Sequence, residues 1–453
     1  MTLATRFISG VVFPLHELAK RHHSVSLRRE LERTQWLNAQ QLQAQQTERL
    51  KNFLARVGRT VPYYRQLFAQ RGLDPARVTS VADLQRLPLL TKATIREHTQ
   101  AMKAEGAGPL VRFNTGGSSG EPLVFYMGLE SISHDVAAKW RATRWWNVDI
   151  GDPEIVLWGS PIELGKQDRV KAWRDRLLRT QLLPAFQMSE LQMDRYLEQI
   201  AGRRPRMLFG YASALALLAQ HAETRGRRMD GLGIRVAFAT GETLYPQQRA
   251  IVEKVFGCPV ANGYGSRDGG FIAHQCPAGA LHLSAEHIVV ELLDEEGRAV
   301  RPGETGQIVT THLATAEFPF VRYATGDMAA LATAPCSCGR GLPAFERVFG
   351  RSTDFIRTVG GEVMHALALI YEVRDKPGVR AFKFIQSEDL AIELQLVAGA
   401  ELTPAHEAQI RAGLQRRLGA DTPLNIVRLQ DIPPEKSGKY RYVVSRAALT
   451  GSG

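Results

Sequence analysis

Short apolar runs that alternate with helical patterns fill the middle of the 453-residue chain. The runs lie at 155–159, 207–210 and 236–240, and amphipathic patterns follow the second and third of them at 213–225 and 246–256. Each run has the length of a strand and is too short for a buried helix. Because strands that alternate with helices pack as a sheet covered by helices, the sequence predicts an α/β core.

Strand patterns of another kind follow this core. Two of them, at 288–293 and 307–311, are separated by Gly and Pro turn signals, which indicates an antiparallel or barrel-like segment. After Gly350, strand-like alternation at 382–397 precedes a helical pattern at 404–418, enough for a small α+β domain. The sequence therefore predicts a mixed α/β fold, with a large N-terminal domain of helix-covered sheets and a small α+β C-terminal domain.

The N-terminal part of the chain carries two further patterns. Residues 25–57 contain neither Gly nor Pro and predict one long or two shorter amphipathic helices. The stretch 7–18 is apolar for a few residues, but Gly10 and Pro14 interrupt it and no small-residue cleavage site follows. We therefore expect no signal peptide and a cytoplasmic protein. The four cysteines agree with a compartment in which disulfides are rare.

The basic residues outnumber the acidic ones but form no block. Lys and Arg number 57 against 46 Asp and Glu, a formal net charge of +11, and no run of five or six like charges occurs. This dispersal disfavours a nucleic-acid-binding stripe and suits an enzyme that binds anionic ligands. Because no run of eighteen apolar residues occurs, we expect no membrane-spanning helix.

A segment rich in glycine and hydroxyl residues, at 113–122, is the most informative local motif. Glycines leave backbone amides free to surround an anion, and Thr and Ser hydroxyls add donors, so such a segment can hold a polyphosphate. It is not a Walker loop, because no Lys-Ser or Lys-Thr pair follows the last glycine. Taken alone, such a segment is also typical of a plain surface loop. Its central residues are Thr115, Gly116, Gly117, Ser118, Ser119 and Gly120.

Four further motifs follow this segment in order, at 262–270, 323–327, 350–354 and 437–441. With them the sequence resembles the adenylate-forming superfamily of acyl-CoA synthetases, peptide-synthetase adenylation domains and luciferases. Within that superfamily it is most similar to the branch of phenylacetate–CoA ligases and CapK-type proteins of capsular polysaccharide loci. The resemblance covers nearly the whole chain and implies binding of ATP and Mg²⁺, with the β- and γ-phosphates held by residues 115–120.

The resemblance implies roles for individual residues of these motifs. Tyr264 would stack on adenine, because an aromatic face offers a purine a dispersion contact at little conformational cost. Asp268 would help to bind Mg²⁺, and Asp327 would accept hydrogen bonds from both ribose hydroxyls. The other implied ATP contacts are Gly241, Glu242, Gly265, Ser266 and Arg351, and the implied substrate contacts are Phe209, Gly210, Tyr211 and Ala212.

Lys439 is the residue to which we assign catalysis. Attack of a carboxylate on the α-phosphate builds negative charge at phosphorus and on the departing pyrophosphate, and a desolvated ammonium stabilises that charge. Two positions depart from the family pattern: Arg267 stands where Thr or Ser is usual, and Thr353 where the hinge commonly has Asp. We therefore expect Arg267 or Ser266 to contact the α-phosphate, and rotation of the C-terminal domain is inferred from the resemblance.

Three cysteines and one histidine form a second constellation. Cys276 and His282 are six residues apart, and Cys336 and Cys338 flank one serine. Three thiolates and one imidazole make a complete tetrahedral zinc set, which would be structural because no coordination position stays open. The alternative is a group of buried thiols without a metal. We expect the fourth cysteine, Cys258, in the core.

The sequence as a whole predicts an ATP-dependent ligase. It would activate a carboxylic acid as an acyl-adenylate, release pyrophosphate and pass the acyl group to coenzyme A or to an amine or hydroxyl acceptor, with polysaccharide biosynthesis as one setting. The alternatives are an adenylyltransferase that leaves AMP on its substrate and a non-catalytic assembly protein of a polysaccharide locus. The expected domains are a helical region of the large domain (1–85), an ATP- and carboxylate-binding core (86–350) and a small mobile lid (351–453).

Overall fold

The computed structural model describes residues 2–114, 123–158, 174–185, 188–351, 355–360, 363–365, 367–374, 376–432 and 442–447. Contacts within the chain divide it into two units. The first comprises Met1–Thr325 and Ala329–Val348, and the second comprises Gly326–Met328 and Phe349–Gly453. The domain limits expected from the sequence, at residues 85 and 350, stay predictions.

Helices form the N-terminal part of the first unit. They are α1 (Leu3–Phe7), a π-helical turn (Ile8–Val12), α2 (Phe13–Ala19), α3 (Ser24–Thr34), α4 (Ala39–Thr60), α5 (Pro62–Arg71), α6 (Lys92–His98) and α7 (Leu129–Trp145), with short 3₁₀ helices at Pro75–Arg77 and Val81–Arg86. The predicted segment 25–57 thus forms two helices. Asn38 starts α4 with a capping box, in which its side chain and that of Gln41 each accept a hydrogen bond from the other's backbone N–H.

An eleven-stranded sheet follows a short hairpin of β1 (Val111–Asn114) and β2 (Val124–Met127). Its strands are β3 (Glu154–Trp158), β4 (Thr180–Pro184), β5 (Met207–Gly210), β6 (Val236–Thr240), β7 (Val260–Ser266), β8 (Gly270–Gln275), β9 (Leu281–Leu283), β10 (Ile288–Leu293), β11 (Thr305–His312), β12 (Tyr323–Leu331) and β13 (Ala344–Arg351). They lie in the order β10-β11-β12-β13-β9-β8-β7-β6-β5-β3-β4. Strands β4, β3, β5, β6 and β7 run parallel to one another.

The parallel strands alternate with helices, as the sequence predicts. Helices α8 (Glu190–Arg203), α9 (Ala212–Thr224) and α10 (Pro246–Phe256) follow β4, β5 and β6, and a 3₁₀ turn occupies Asp230–Leu232. Leu215 and Leu218 of α9 pack in one buried cluster with Ile155 of β3 and Leu208 of β5. Complete burial of each such side chain contributes roughly 1.5–3 kcal/mol to stability.

The predicted antiparallel segment is present beyond the parallel strands. β10 pairs with β11 from Ile288 opposite His312 to Leu293 opposite Gln307. β8 pairs antiparallel with both β7 and β9, and β9 pairs antiparallel with β13.

The second unit contains a small four-stranded sheet and two helices in its described part. Its elements are β14 (Phe355–Arg357), β15 (Val363–His365), α11 (Leu367–Arg374), β16 (Val379–Gln386), β17 (Ile392–Ala398), α12 (Pro404–Leu418), β18 (Leu424–Arg428) and β19 (Val443–Ser445). The sheet order is β18-β17-β16-β19. Thr403 caps α12 and Pro404 begins it, as Pro suits a first helical position. The predicted fold class, a large sheet-rich domain and a small α+β domain, is confirmed.

Candidate active site

Three of the predicted site segments meet at one edge of the large sheet. Strands β3, β5, β6 and β7 are mutually parallel, so their carboxyl ends lie at the same edge, where ligands of open α/β sheets bind. The predicted residues at this edge are Phe209 and Gly210 at the end of β5, Tyr211 and Ala212 after it, Gly241 and Glu242 after β6, and Tyr264, Gly265 and Ser266 in β7.

Aromatic side chains form a wall at the ends of β3 and β5. The Tyr211 ring stacks on that of Trp158, with 4.2 Å between centroids and 21° between planes. The centroid of the Phe209 ring lies 6.0 Å from that of Trp158 and 6.0 Å from that of Phe238. Gly210 ends β5 and pairs with Leu157 of β3, so closely that a Cβ atom at Gly210 would stand 2.5 Å from the Leu157 carbonyl oxygen. Trp158 was not among the residues predicted for the site, although its place at the carboxyl end of a predicted strand is a usable signal.

The segment after β6 packs tightly against this wall. Gly241 has φ +79°, and a Cβ atom there would lie 3.1 Å from the Trp158 ring and 3.2 Å from the Tyr211 ring, so only glycine fits. The Glu242 carboxylate accepts a hydrogen bond from the backbone N–H of Ser213 (3.0 Å), in the first turn of α9. Burial, and then the charge of Glu242, raise the pKa of the Tyr211 phenol above its ordinary value.

Tyr264 and Gly265 lie where β7 turns into β8. The half-buried Tyr264 ring meets the Phe345 ring edge to face, with 5.8 Å between centroids. At Gly265 a Cβ atom would stand 2.4 Å from the carbonyl oxygen of Gly270, so the hairpin closes too tightly there for any other residue. Tyr264 therefore occupies a fixed position at the carboxyl edge of the sheet.

The turn that follows β7 carries Asp268, the predicted magnesium ligand. Asp268 is buried, and the hydroxyl of the fully buried Tyr323 donates a hydrogen bond to its Oδ2. The backbone N–H of Gly269 donates to the Ser266 hydroxyl oxygen (2.9 Å), which closes the turn. The Tyr323 hydroxyl thus orients the Asp268 carboxylate, and the hydrogen bond to Ser266 fixes the turn that carries it.

Arg267 connects this turn to the predicted phosphate-binding segment. Its Nη1 donates to the backbone carbonyl of Asn114 (3.3 Å), the last residue of β1 and the one immediately before Thr115. The turn after β7 and the end of β1 are therefore neighbours in the fold, although they lie about 150 residues apart in the sequence.

Asp135 and His312 contact the residues that follow the same turn, Gly270 and Phe271. Gly270 has φ +73°, and a Cβ atom there would lie 2.8 Å from Nε2 of His312 and 3.1 Å from Oδ1 of Asp135. The Asp135 carboxylate also accepts a hydrogen bond from the backbone N–H of Phe271 (3.3 Å), and burial raises its pKa to about 6. These contacts could not be predicted from the sequence, because nothing local in α7 or β11 indicates that they meet at Gly270.

Several predicted site residues are not tested by this geometry. The phosphate-binding residues Thr115, Gly116, Gly117, Ser118, Ser119 and Gly120 and the proposed catalytic Lys439 lie outside the described residues. Asp327 lies in β12, within the part of that strand that belongs to the second unit, and Arg351 ends β13. The roles of all these residues stay predictions.

The predicted zinc ligands come together although they span more than sixty positions. The ligand atoms of Cys276, His282, Cys336 and Cys338 all lie within 4.8 Å of one another. The Sγ atoms of Cys276 and Cys336 are 3.7 Å apart, close to the separation of about 3.8 Å that two sulfurs have in a tetrahedral site with Zn–S bonds of about 2.3 Å.

The histidine of this group is oriented as a metal ligand would be. Nδ1 of His282 lies 3.0 Å from the Leu342 carbonyl oxygen, which can only accept, so Nδ1 carries the proton and Nε2 presents its lone pair to Cys338 Sγ at 3.2 Å. Burial lowers the pKa of His282, which keeps the ring neutral. Burial raises the pKa of the Cys276 thiol to about 11, so a bound cation would be needed to hold it as a thiolate.

A second buried group contains His134, Asp135 and His312, with ligand atoms within 4.8 Å. Both ring nitrogens of His134 lack a hydrogen-bond partner among the described residues. Burial, and then the charges of Arg141 and Arg49, lower the pKa of His134 to about 3. The same positive charges would oppose a bound cation, so we assign no metal to this group.

Comparisons with known proteins agree with this fold. The AMP-binding enzyme family model matches residues 180–317, and the CapK C-terminal domain model matches 356–446. Protein CapK of Staphylococcus aureus is 23% identical over 88% of each chain, and the phenylacetate-coenzyme A ligase of Escherichia coli K12 is 24% identical over 91% of this chain and 96% of the ligase.

Among solved structures, a 2-hydroxyisobutyryl-CoA ligase in complex with 2-HIB-AMP has the same fold. The two structures superpose with a TM-score of 0.74 over 90% of each chain, at 19% identity. The matched family models, the curated relatives and this shared fold all indicate the same superfamily. The chain therefore belongs to the adenylate-forming superfamily of ligases, in the branch that holds the phenylacetate-coenzyme A ligases and CapK.

Proposed function

We propose that the protein joins a carboxylic acid to AMP at the expense of ATP, releases pyrophosphate, and transfers the acyl group to coenzyme A. The observation that carries this proposal is the convergence of Tyr211, Gly241 and Tyr264 at one sheet edge, beside the turn that bears Asp268. Membership of the superfamily supports the reaction class. Relatives named as phenylacetate-coenzyme A ligases support coenzyme A as the acceptor.

The first half-reaction makes and breaks one bond at the α-phosphorus. A carboxylate oxygen of the substrate bonds to that phosphorus, and the bond to the pyrophosphate oxygen breaks, which leaves negative charge on the departing group. Asp268 fits a magnesium ligand, because it is a buried carboxylate whose Oδ2 is held by the Tyr323 hydroxyl. Mg²⁺ bound there would neutralise phosphate charge.

The remaining residues bind and orient the reactants in this proposal. Tyr264 would hold the adenine, Asp327 the ribose hydroxyls, and Arg267 the α-phosphate. The stacked pair of Trp158 and Tyr211 lies where the acid would enter, and an aromatic wall favours an aryl or apolar acyl group over a charged one.

Product analysis tests this function directly. ATP labelled on its α-phosphate is incubated with coenzyme A and a panel of aryl, aliphatic and amino acids. We expect the label to leave as AMP, an unlabelled acyl-CoA product, and the highest rate with an aryl or apolar acid. Label that stays on the product would support an adenylyltransferase instead. AMP release that requires an amine or a sugar in place of coenzyme A would support an acceptor of polysaccharide biosynthesis.

The Lys439→Ala variant is expected to lose about 10²-fold in the rate of AMP release. The ammonium would offset charge on the α-phosphate and pyrophosphate during adenylation, so its loss removes one stabilising cation from the transition state. Lys436→Ala, which removes a lysine three residues away, is the matched control and should keep the parent rate. Equal rates for the two variants would remove Lys439 from the mechanism.

We also propose a structural zinc ion at Cys276, His282, Cys336 and Cys338, supported by the clustering of their ligand atoms. Elemental analysis of the purified protein should find zinc in equimolar amount. Cys338→Ser should lose most of that zinc and lower the melting temperature by roughly 5 °C or more, because metal binding adds to folding free energy. Cys258→Ala, which removes a buried cysteine outside the cluster, should retain the metal. Parent protein free of zinc after purification in zinc-containing buffer would refute the site.

A further inference from the structure

The N-terminal helical segment carries a continuous stripe of exposed apolar side chains. Helix α1, the π turn and α2 run without interruption from residue 3 to residue 19. Residues three or four apart lie on one face of a helix, so the exposed apolar residues of this segment form a single row. The stripe consists of Leu3, Phe7, Val11, Leu15 and Leu18, which are 44–84% exposed.

The π turn keeps this stripe on one side of the helix. Residues spaced by four drift around a regular α-helix, because one turn takes 3.6 residues. A π turn closes i→i+5 hydrogen bonds and rotates the chain less per residue, which offsets that drift between Phe7 and Leu15. Gly10 lies in this turn and Pro14 in the first turn of α2, where a proline is tolerated, so the helical segment continues through both residues.

The opposite face of the same segment is anchored to the first unit. The Thr5 hydroxyl donates to Oδ1 of Asp152 (2.7 Å), and the Phe13 ring meets Trp140 of α7 edge to face at 4.9 Å. Ile8 is buried between these two contacts. The helical segment is therefore anchored to the first unit by one face, and its apolar stripe is exposed on the other.

The charges around the stripe are basic. Arg6, Lys20 and Arg21 are exposed at its two ends. Glu17 is the one acidic residue among residues 1–29, and it is buried, with the Ser24 hydroxyl donating to its carboxylate (2.5 Å). An apolar face flanked by cations complements a surface of anionic headgroups above acyl chains.

We propose that this segment docks the protein on the surface of an anionic lipid bilayer, with the helix axis in the plane of the membrane. Five side chains are few beside the 20–30 residues per partner of a typical protein interface, which disfavours a second copy of the chain as the occupant. Among the described residues no helix is long and apolar enough to cross a membrane, so the contact is peripheral. The docking is independent of the proposed reaction.

Co-sedimentation with vesicles tests the docking on the intact protein. The protein should bind vesicles of phosphatidylcholine mixed with phosphatidylglycerol, bind pure phosphatidylcholine much more weakly, and dissociate as salt is added. Phe7→Ser combined with Leu15→Ser should lower the vesicle affinity at least roughly tenfold. Arg6→Gln and Lys20→Gln should each lower it about fivefold.

Leu191→Ser combined with Leu217→Ser is the matched control. These leucines are 64% and 42% exposed on α8 and α9, away from the stripe, and their replacement should leave vesicle binding unchanged. Circular dichroism of each variant verifies the fold. Absence of binding to anionic vesicles at low salt would overturn the proposal, as would equal binding by the Phe7→Ser, Leu15→Ser variant. Sedimentation velocity identifies the remaining occupant: self-association that this variant abolishes, without vesicle binding, would assign the stripe to a dimer.

Discussion

The Asp268→Asn variant is expected to lose ATP-pyrophosphate exchange on the order of 10³-fold. Asn has the shape of Asp, and its amide oxygen can still accept the hydrogen bond from Tyr323, so the turn should keep its conformation. The negative charge that would hold Mg²⁺ is lost, and with it the neutralisation of phosphate charge in the transition state. The measurement is the initial exchange rate as a function of magnesium concentration.

Two further variants show whether the charge itself is responsible. Tyr323→Phe removes the hydroxyl that orients Asp268 and keeps the carboxylate, so it should lower the rate of ATP-pyrophosphate exchange roughly tenfold. Asp421→Asn removes one negative charge from an exposed site in the second unit and should have no effect. An Asp268→Asn variant that keeps the parent rate at low magnesium would contradict the assigned role.

The Glu286→Ala variant is expected to destabilise the first unit by about 3–5 kcal/mol. Nη1 of Arg141 lies 2.6 Å from Oε1 of Glu286, and both side chains are fully buried. The Thr34 hydroxyl also donates to Oε1 (3.3 Å), so the pair connects α3, α7 and the segment before β10. Removal of the carboxylate leaves the Arg141 guanidinium buried without its counter-ion. This unpaired buried charge lowers the free energy of unfolding.

Urea denaturation, followed by the fluorescence of the tryptophans, measures this loss. Glu296→Ala, which breaks an exposed pair with Arg298, is the control and should change stability by less than about 1 kcal/mol. Conversion of the buried pair to Arg141→Met with Glu286→Leu should recover most of the stability, because a well-packed apolar pair needs no charge compensation. Equal unfolding midpoints for Glu286→Ala and Glu296→Ala would show that the ion pair is dispensable.

The local elements were predictable because their signals lie in neighbouring residues. The runs at 207–210 and 236–240 and the helix at 246–256 follow apolar periodicity and are confirmed by β5, β6 and α10. Thr403 followed by Pro404 marked the start of α12 in the same way. The zinc ligands could be proposed because cysteine and histidine are chemically distinctive wherever they lie.

Other features depended on contacts that no local pattern encodes. Trp158 and Asp135 come to the site from separate elements, and only the strand order and the packing of α7 place them there. The N-terminal helical segment was not predicted, because it contains Gly10 and Pro14, two residue types that are poor helix formers. Gly10 lies in the π turn and Pro14 in the first turn of α2, and the apolar residues around them form an exposed stripe.

Acid-dependent ATP-pyrophosphate exchange by the unmodified protein tests the central claim most directly. Exchange reports formation of the acyl-adenylate alone, so it does not depend on the acceptor of the second step. We predict exchange that requires both magnesium and a carboxylic acid, is strongest with an aryl or apolar acid, and falls to background when the acid is omitted. Absence of exchange with every acid of a broad panel, or exchange that does not require an acid, would contradict the account.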